Sequence, residues 1–386
     1  MTGIAGSVRG KAAMVSAATA GIGKVGPNRS FMEIAALASV AALGRCGLSV
    51  KDVDGLFGVS MSRLMWGVDF AEYLGIDPSY CEGTQLGGSS FEAHCLNAAL
   101  ALEAGLCNVA LIAFGATTRS GRGPWPQVRE PDPYLDAYRA EGLHTYAMAT
   151  QRHMHEFGTT REQLSEVAVA ARQWAKLNPE AFMRDDLSLA DVSQSRLVSS
   201  PLRLGDCCLI TDGAAAIVMT RADRARDIAA RPAYLLGAAM ALDGTNPALR
   251  PSLTTTVAAQ SGARAFGMAG MRPRDIDVVQ LYDAFTINVI MFLEDLGFCA
   301  KGEGGSYVDN GALAPGGRLA VNTNGGGLSC VHPGMYGAFM LAEVFEQLAG
   351  TAGERQIQSA KTAICHGNGG NFSTQVTTVW GTEETL

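Results

Sequence analysis

"SFMEIAALASVAALGRCGLSVKDVDGLFGVSM", residues 30–61, reads as one structural unit. It runs through an amphipathic helix, a glycine turn, a short acidic link and an apolar strand. Residues 253–285, "LTTTVAAQSGARAFGMAGMRPRDIDVVQLYDAF", repeat that order, and Asp52 and Asp54 return as Asp275 and Asp277. A second pair follows the first. "GGSSFEAHCLNAALALEAGLCNVALIAFGA" (87–116) is a glycine turn, a small-residue helix and a buried strand. Residues 325–370, from "GGGLSCVHPGMYGAF" to "AICHGNGG", repeat it with a longer connection. Strands that are nearly continuously apolar and alternate with helices indicate parallel-type α/β layering. Two similar halves are expected to pack around shared helices.

Outward from these units, "AAMVSAA" (12–18) reads as a first buried strand and "LITDGAAAIVMT" (209–220) as the strand that closes the first half. The predicted organisation is a first half over 1–116 and 201–250, a loop domain over 117–200, and a second half over 251–386. The loop domain opens on "TTRSGRGPWPQVREPDPYLDAYRAEGLH", whose Pro, Gly and charge content marks a long excursion. It carries helices of its own, such as "REQLSEVAVAARQWAKLN". Excursions of this length are commonly functional.

Composition sets the limits. A chain of 386 residues with 47% hydrophobic and only 17% charged residues can bury a large interior and leaves modest free surface, which favours an oligomer. A net charge of −7 offers no general attraction for nucleic acid or acidic membranes. No apolar run approaches a membrane span. The start lacks an apolar core followed by a cleavage site and reads as mature chain. Nine scattered cysteines without a CxxC pair fit free thiols in a reducing cytoplasm. "HMH" at 153–155 lies in a helical stretch, where residues i and i+2 point apart, so no metal site is expected.

The chemistry-bearing stretch is "VNTNGGGLSCVHPGMYG" (321–337), which sets His332, one of six histidines, before a proline on a glycine-rich loop. With "EVAVAARQWAKLNPEAF", "SPLRLGDCCLITDGAAAIV", "LYDAFTINVIMFLEDLGFCAKGEGGSYV" and "GERQIQSAKTAICHGNGGN", it resembles, along almost the whole chain, the thiolase superfamily. The nearest branch is that of sterol-carrier-protein-type thiolases and lipid-transfer proteins. The resemblance implies a duplicated αβαβα five-layer fold with an inserted loop domain, usually dimeric, acting on acyl-CoA thioesters.

It also assigns residues. The family's nucleophilic cysteine falls on Gly87 or, one place off, Gly88, so no covalent thioester step is expected there. Ser89 and Ser90 are close but lack an obvious base. His332 matches the Gly-His-Pro histidine, with Val331 in place of the preceding glycine. Cys365 matches the Cys-x-Gly cysteine that moves a proton at the substrate's α-carbon, and His366 a histidine of the sterol-carrier branch. Where the family has Asn-Glu-Ala-Phe, residues 282–285 read "YDAF", placing Tyr282 at a catalytic position. Cys207 and Cys208 read as packing residues.

Some members of the branch resemble aldolases that cleave steroid-derived CoA esters and pair with a small zinc-ribbon/OB-fold protein. The expected activity is therefore retro-aldol C–C cleavage of a β-hydroxyacyl-CoA. Tyr282 would take the β-hydroxyl proton, with Asp283 orienting it. His332 and the Gly87–Gly88 turn would hold the thioester oxygen, and Cys365 or His366 would serve Cα. A second tyrosine of those aldolases falls here on Val331. Ser89, His144 and Arg122 are further candidates to bind substrate, with Arg119 and Arg129 flanking the loop domain. The alternatives are thiolase-type acyl transfer on Cys330 or Cys365, and a non-catalytic acyl-CoA- or lipid-binding subunit. Expected partners are a second copy of the chain and the OB-fold protein, giving a heterotetramer. Coenzyme A enters as part of the substrate, with no bound cofactor, in the cytoplasm.

Overall fold

A computed structural model describes residues 8–121, 136 and 142–386. The chain begins with β1 (Ala12–Gly23), the strand expected at "AAMVSAA". Ser30 then caps α1 (Phe31–Arg45), its hydroxyl accepting from the Glu33 amide. β2 (Gly55–Gly58), α2 (Trp66–Leu74), β3 (Tyr80–Glu82), α3 (Ser90–Glu103) and β4 (Val109–Ala116) follow. The loop domain contributes α4 (Leu143–Phe157), α5 (Arg161–Lys176), α6 (Leu189–Gln194) and a small hairpin of β5 (Leu197–Ser199) and β6 (Leu202–Arg203). β7 (Asp212–Arg221) and α7 (Ala222–Ile228) return to the first half. The second half comprises β8 (Ala233–Leu242), α8 (Ala258–Ala269), β9 (Val278–Leu281), α9 (Thr286–Asp295), α10 (Gly304–Tyr307), β10 (Ala320–Val321), α11 (Gly337–Ala349), β11 (Thr362–Gly369) and β12 (Thr374–Gly381).

The strand orders expose the duplication. The first half runs β1-β7-β4-β2-β3 and the second β8-β12-β11-β9-β10, the same order with each strand replaced by its counterpart. The halves meet where β1 pairs with β8, Ala13 opposite Tyr234 and Met14 opposite Ala233. One boundary expected from sequence is corrected by this order. β8 stands where β1 stands, so the second half begins before residue 233 rather than at 251. Residues 201–250 look like one return segment in sequence because β7 and β8 are equally apolar and separated only by a short helix.

Five layers result. α1 covers one sheet half and α8 the other, while α3 and α11 lie between them and touch strands of both. This central layer is buried nearly all round. α3 buries Phe91, Glu92, His94 and Cys95, and α11 buries Phe339, Met340, Leu341 and Glu343.

The repeated aspartates have repeated work. Asp52 and Asp275 accept from the backbone amides of Ser49 and Arg272 and close the short turns before β2 and β9. Asp54 accepts from the amides of Asn108 and Val109 at the start of β4. Asp277 accepts from those of Lys361 and Thr362 at the start of β11. Each thus ties its strand to the next parallel neighbour. Asp277→Ala, which strips an acceptor from two amides in a partly solvated setting, is expected to cost roughly 1 kcal/mol. A urea midpoint unchanged from the parent would contradict that role.

Candidate active site

Tyr282 follows β9 directly, and its amide donates to the His366 carbonyl, so the strand's last hydrogen bond fixes where the phenol starts. Its hydroxyl lies 3.1 Å from His332 Nε2 and accepts from the Tyr336 amide, at the entry to α11, at 3.2 Å. The imidazole tautomer sets the direction of this contact: with its own proton on Nδ1, His332 would accept the phenolic hydrogen at Nε2 while the Tyr336 amide donates to the same oxygen. Burial lowers the His332 pKa to about 4, so the ring is neutral at physiological pH, while burial holds the Tyr282 phenol far above its ordinary value. A neutral imidazole within hydrogen-bond distance of a protonated phenol is a pair that can serve as base and acid.

The loop that carries His332 is held on two sides. Its backbone exchanges hydrogen bonds with Thr211, the His332 amide donating to Thr211 Oγ1 at 3.0 Å and the Thr211 amide to the His332 carbonyl. Asp283 holds the preceding glycine run, accepting from the Gly327 amide at 2.6 Å and the Leu328 amide at 3.2 Å. This corrects the expectation that Asp283 orients Tyr282. Successive side chains leave an extended segment on opposite sides, so Asp283 turns away from the phenol towards the loop. Burial raises its pKa to about 7 despite those amides. Val331, at the place of a second family tyrosine, is fully buried in the core.

The glycine turn before α3 departs from its expected use. A Cβ on Gly88 would overlap Tyr282 Cε2 and Cζ and lie 2.5 Å from the Asn368 carbonyl. The space freed by the missing side chain is therefore filled by the Tyr282 ring and is not left open for substrate. Gly87 has φ +62°, the left-handed region that favours glycine. Ser89 is buried, with its hydroxyl on the Leu86 carbonyl and Thr374 Oγ1, and Ser90 binds the Gly87 carbonyl. Both serines close the turn, which corrects the reading of Ser89 as a substrate contact.

Cys365 and His366, adjacent in β11, project from opposite faces. Cys365 lies on the face of the central helices, its thiol donating to Glu92 Oε1 at 3.2 Å. His366 lies on the outer face, packed on Phe292 and bonded to Thr377 Oγ1 at 2.8 Å, with burial lowering its pKa to about 3. His366 therefore does not share a site with Cys365. Cys330 is buried behind the glycine loop, 3.6 Å from Asn178 Nδ2, and burial drives its thiol pKa far up, as it does for Cys365. No histidine pairs with either thiol among the described residues.

From the loop domain, the structure brings in Tyr146 where the sequence suggested His144. His144 is exposed on α4, whereas Tyr146, two residues on, is buried against Phe285 and Phe372 at ring-centroid distances of 4.4 and 4.6 Å. Asn368 Nδ2 donates to the Tyr146 hydroxyl at 3.0 Å. The i, i+3 spacing of Leu143, Tyr146 and Ala149 was the available signal for this choice. Arg122 and Arg129 lie outside the described residues. Arg119 is exposed, its amide held by Asp212 and its guanidinium over Phe182. His153 of the "HMH" stretch is buried on Glu294 and Thr159, and no group of three or more metal-binding side chains is gathered among the described residues.

Glu92 escaped the sequence reading altogether, because a lone acid within a small-residue helix carries no signal. Cys208, read as packing, is half-buried beside Ala284, its amide on that carbonyl, and lies near Tyr282 and Tyr146.

Comparisons with known proteins agree with this architecture. Residues 239–382 match the family model described as "Thiolase C-terminal domain-like". The chain is 34% identical to an acetyl-CoA acetyltransferase of Methanothermobacter thermautotrophicus, covering 89% of this chain and 93% of that one. It is also 34% identical to the 17-hydroxy-3-oxo-4-pregnene-20-carboxyl-CoA lyase of Mycobacterium tuberculosis, over 89% and 92% of the two chains. Among solved structures, the Ltp2-ChsH2(DUF35) aldolase superposes with a TM-score of 0.87 at 29% identity, covering 97% of this chain and 99% of that one. With relatives this similar over nearly their full lengths, the chain belongs to the thiolase superfamily, in the thiolase-like lipid-transfer branch.

Proposed function

We propose that this protein cleaves a β-hydroxyacyl-CoA by a retro-aldol reaction, with no acyl-enzyme. The observation that carries the reading is the Tyr282–His332 pair, built where a Gly-Gly turn has replaced the nucleophile. The β-hydroxyl proton passes to the Tyr282 oxygen as the Tyr282 proton passes to His332 Nε2. The Cα–Cβ bond breaks, its electron pair becoming the enolate of the shortened thioester, and the β-carbon leaves as a ketone or aldehyde. The positive end of α3, at the glycine turn, favours the enolate oxygen. Coenzyme A enters with the substrate, and no other cofactor takes part. A bulky substituent on the β-carbon is part of the reading, supported by the name of the similar pregnene-carboxyl-CoA lyase. The names of two similar proteins, a pregnene-carboxyl-CoA lyase and an aldolase, support the same chemistry.

A second reading, acyl transfer, is favoured by the acetyltransferase relative. Against it stands the lack, among the described residues, of any thiol paired with His332. For partners, the reading includes a second copy of the chain and a small OB-fold protein; that the solved aldolase is named as Ltp2 together with ChsH2(DUF35) supports a partner subunit. The short edge strand β3 and the exposed Leu64, Met65, Val68 and Tyr73 beside it support a self-association surface. No described helix is long and apolar enough to cross a membrane, and a cytoplasmic location remains part of the reading.

The test is incubation of the protein, alone and with a co-expressed OB-fold partner, with a β-hydroxyacyl-CoA carrying a bulky β-substituent. Mass spectrometry is expected to find a carbonyl fragment and a shortened acyl-CoA. An acyl adduct on Cys330 or Cys365 from a β-ketoacyl-CoA, without cleavage, would restore acyl transfer.

A further inference from the structure

Beneath the glycine turn lies a carboxylic acid that the mechanism above leaves unused. Glu92, in the first turn of α3, is fully buried, and Oε2 has no hydrogen-bond partner. Space for it is cleared by two glycines on other elements. A Cβ on Gly337 would sit 2.7 Å from Oε2 and 2.5 Å from the Gly88 carbonyl, and one on Gly367 would overlap Oε2 itself. Its other oxygen, Oε1, accepts the Cys365 thiol at 3.2 Å. The titratable groups around it are Cys365 from β11, Cys95 from its own helix and Tyr282 from the end of β9, while Gly337 faces it from α11. All three of those groups stay neutral, and among the described residues no cation pairs with Glu92. Desolvation accordingly raises its pKa to about 8, leaving a carboxylic acid at neutral pH.

An isolated buried acid is costly to keep without partners. An apolar residue of similar size would fill the same space with no unsatisfied polar atom. The arrangement instead joins a carboxylic acid to the Cys365 thiol through one hydrogen bond, which the thiol donates at 3.2 Å.

We propose that Glu92 is the proton reservoir for Cys365, a positioning residue that sets the thiol's protonation during proton transfer at the substrate α-carbon. In the cleavage direction the Cys365 thiol gives its proton to Cα of the enolate, and the Glu92 carboxyl gives its proton to the sulfur. The pair ends as thiol and carboxylate, and the carboxylate regains its proton from water that enters as the product leaves. In reverse, the carboxylate takes the thiol proton as sulfur takes a proton from Cα. This rests on the retro-aldol reading for its forward direction, but the reverse step needs only an acyl-CoA. The two are therefore separable.

The experiment follows deuterium uptake at Cα of propionyl-CoA in D₂O by mass spectrometry, with cleavage assayed in parallel. For the parent protein, uptake is expected to rise as pH passes through about 8, when the carboxylate forms, and cleavage to fall over the same range. Glu92→Gln, which keeps an oxygen acceptor for the thiol, should lose that rise and be at least about tenfold slower at pH 9. Cys365→Ala should abolish uptake. Should Glu92→Gln fold poorly by circular dichroism, Glu92→Asp keeps an acid and should retain a shifted rise. Uptake in Glu92→Gln with the parent's rate and pH profile overturns the inference, as does uptake that survives Cys365→Ala or is absent in the parent. A Glu92-dependent rise without any cleavage sustains it while removing the aldolase reading.

Discussion

Tyr282→Phe is expected to lower cleavage of a β-hydroxyacyl-CoA by roughly 10²–10⁴-fold, the usual range for loss of a positioned acid-base group. The change removes one oxygen and leaves the ring that packs against Gly88 and His332. Binding of the acyl-CoA should therefore change little, and the loss should fall on kcat. Two hydrogen bonds go with the oxygen, those to His332 Nε2 and from the Tyr336 amide. The histidine remains neutral but has no phenol through which to reach the substrate hydroxyl. His332→Ala should give a loss of the same order, and the double variant little more than either, because the two act as one relay. Steady-state kinetics with ketone release as the signal, together with calorimetric binding of the substrate, make the check. Retention of more than a tenth of parental kcat in Tyr282→Phe would remove the phenol from the reaction.

Restoring a cysteine to the glycine turn should fail for a reason visible only in the packing. In Gly88→Cys the new Cβ collides with the Tyr282 ring and presses on the Asn368 carbonyl, so overpacking should cost about 1–3 kcal/mol. The thiol would also displace the phenol from His332, and activity should fall without any acyl-enzyme in exchange. Pairing the change with Tyr282→Asn, the residue type that thiolases carry at this position, empties the contested space. The double variant should be less destabilised than the sum of the two single changes by at least about 1 kcal/mol. Only the double variant is expected to show an acyl adduct at position 88 with a β-ketoacyl-CoA, since only there are a thiol and a free His332 brought together. Urea denaturation and intact-protein mass measure the two parts. A Gly88→Cys protein as stable as the parent, with Tyr282 still bonded to His332, would contradict the argument.

Much of the fold was legible because its signals are local. Helix and strand each bury a fixed fraction of every turn or pleat, so the repeated helix–turn–link–strand unit could be read at 30–61 and again at 253–285. The duplication could be read from it, the five-layer arrangement was implied by the family resemblance, and the repeated strand order agrees with both. The boundary at 250 was misplaced for the same reason. Nothing local distinguishes β8 as the last strand of one half from β8 as the first strand of the next, and only its pairing with β12 on one side and β1 on the other decides.

The site divides in the same way. Tyr282 and His332 stand out in sequence because each interrupts a recognisable stretch, a strand end and a glycine loop. Their hydrogen bond, the filling of Gly88 by a ring 194 positions later, and the thiol-to-acid contact between Cys365 and Glu92, 273 residues apart, belong to no local period. Nor could residue order say that Cys365 and His366 serve opposite faces until the sheet acquired an inside and an outside. Local pattern determined which elements form and which loop bears the histidine. Tertiary closure decided which side chains meet, because contact across the central layer depends on how two halves fit together and on space that glycine leaves for a distant residue to occupy.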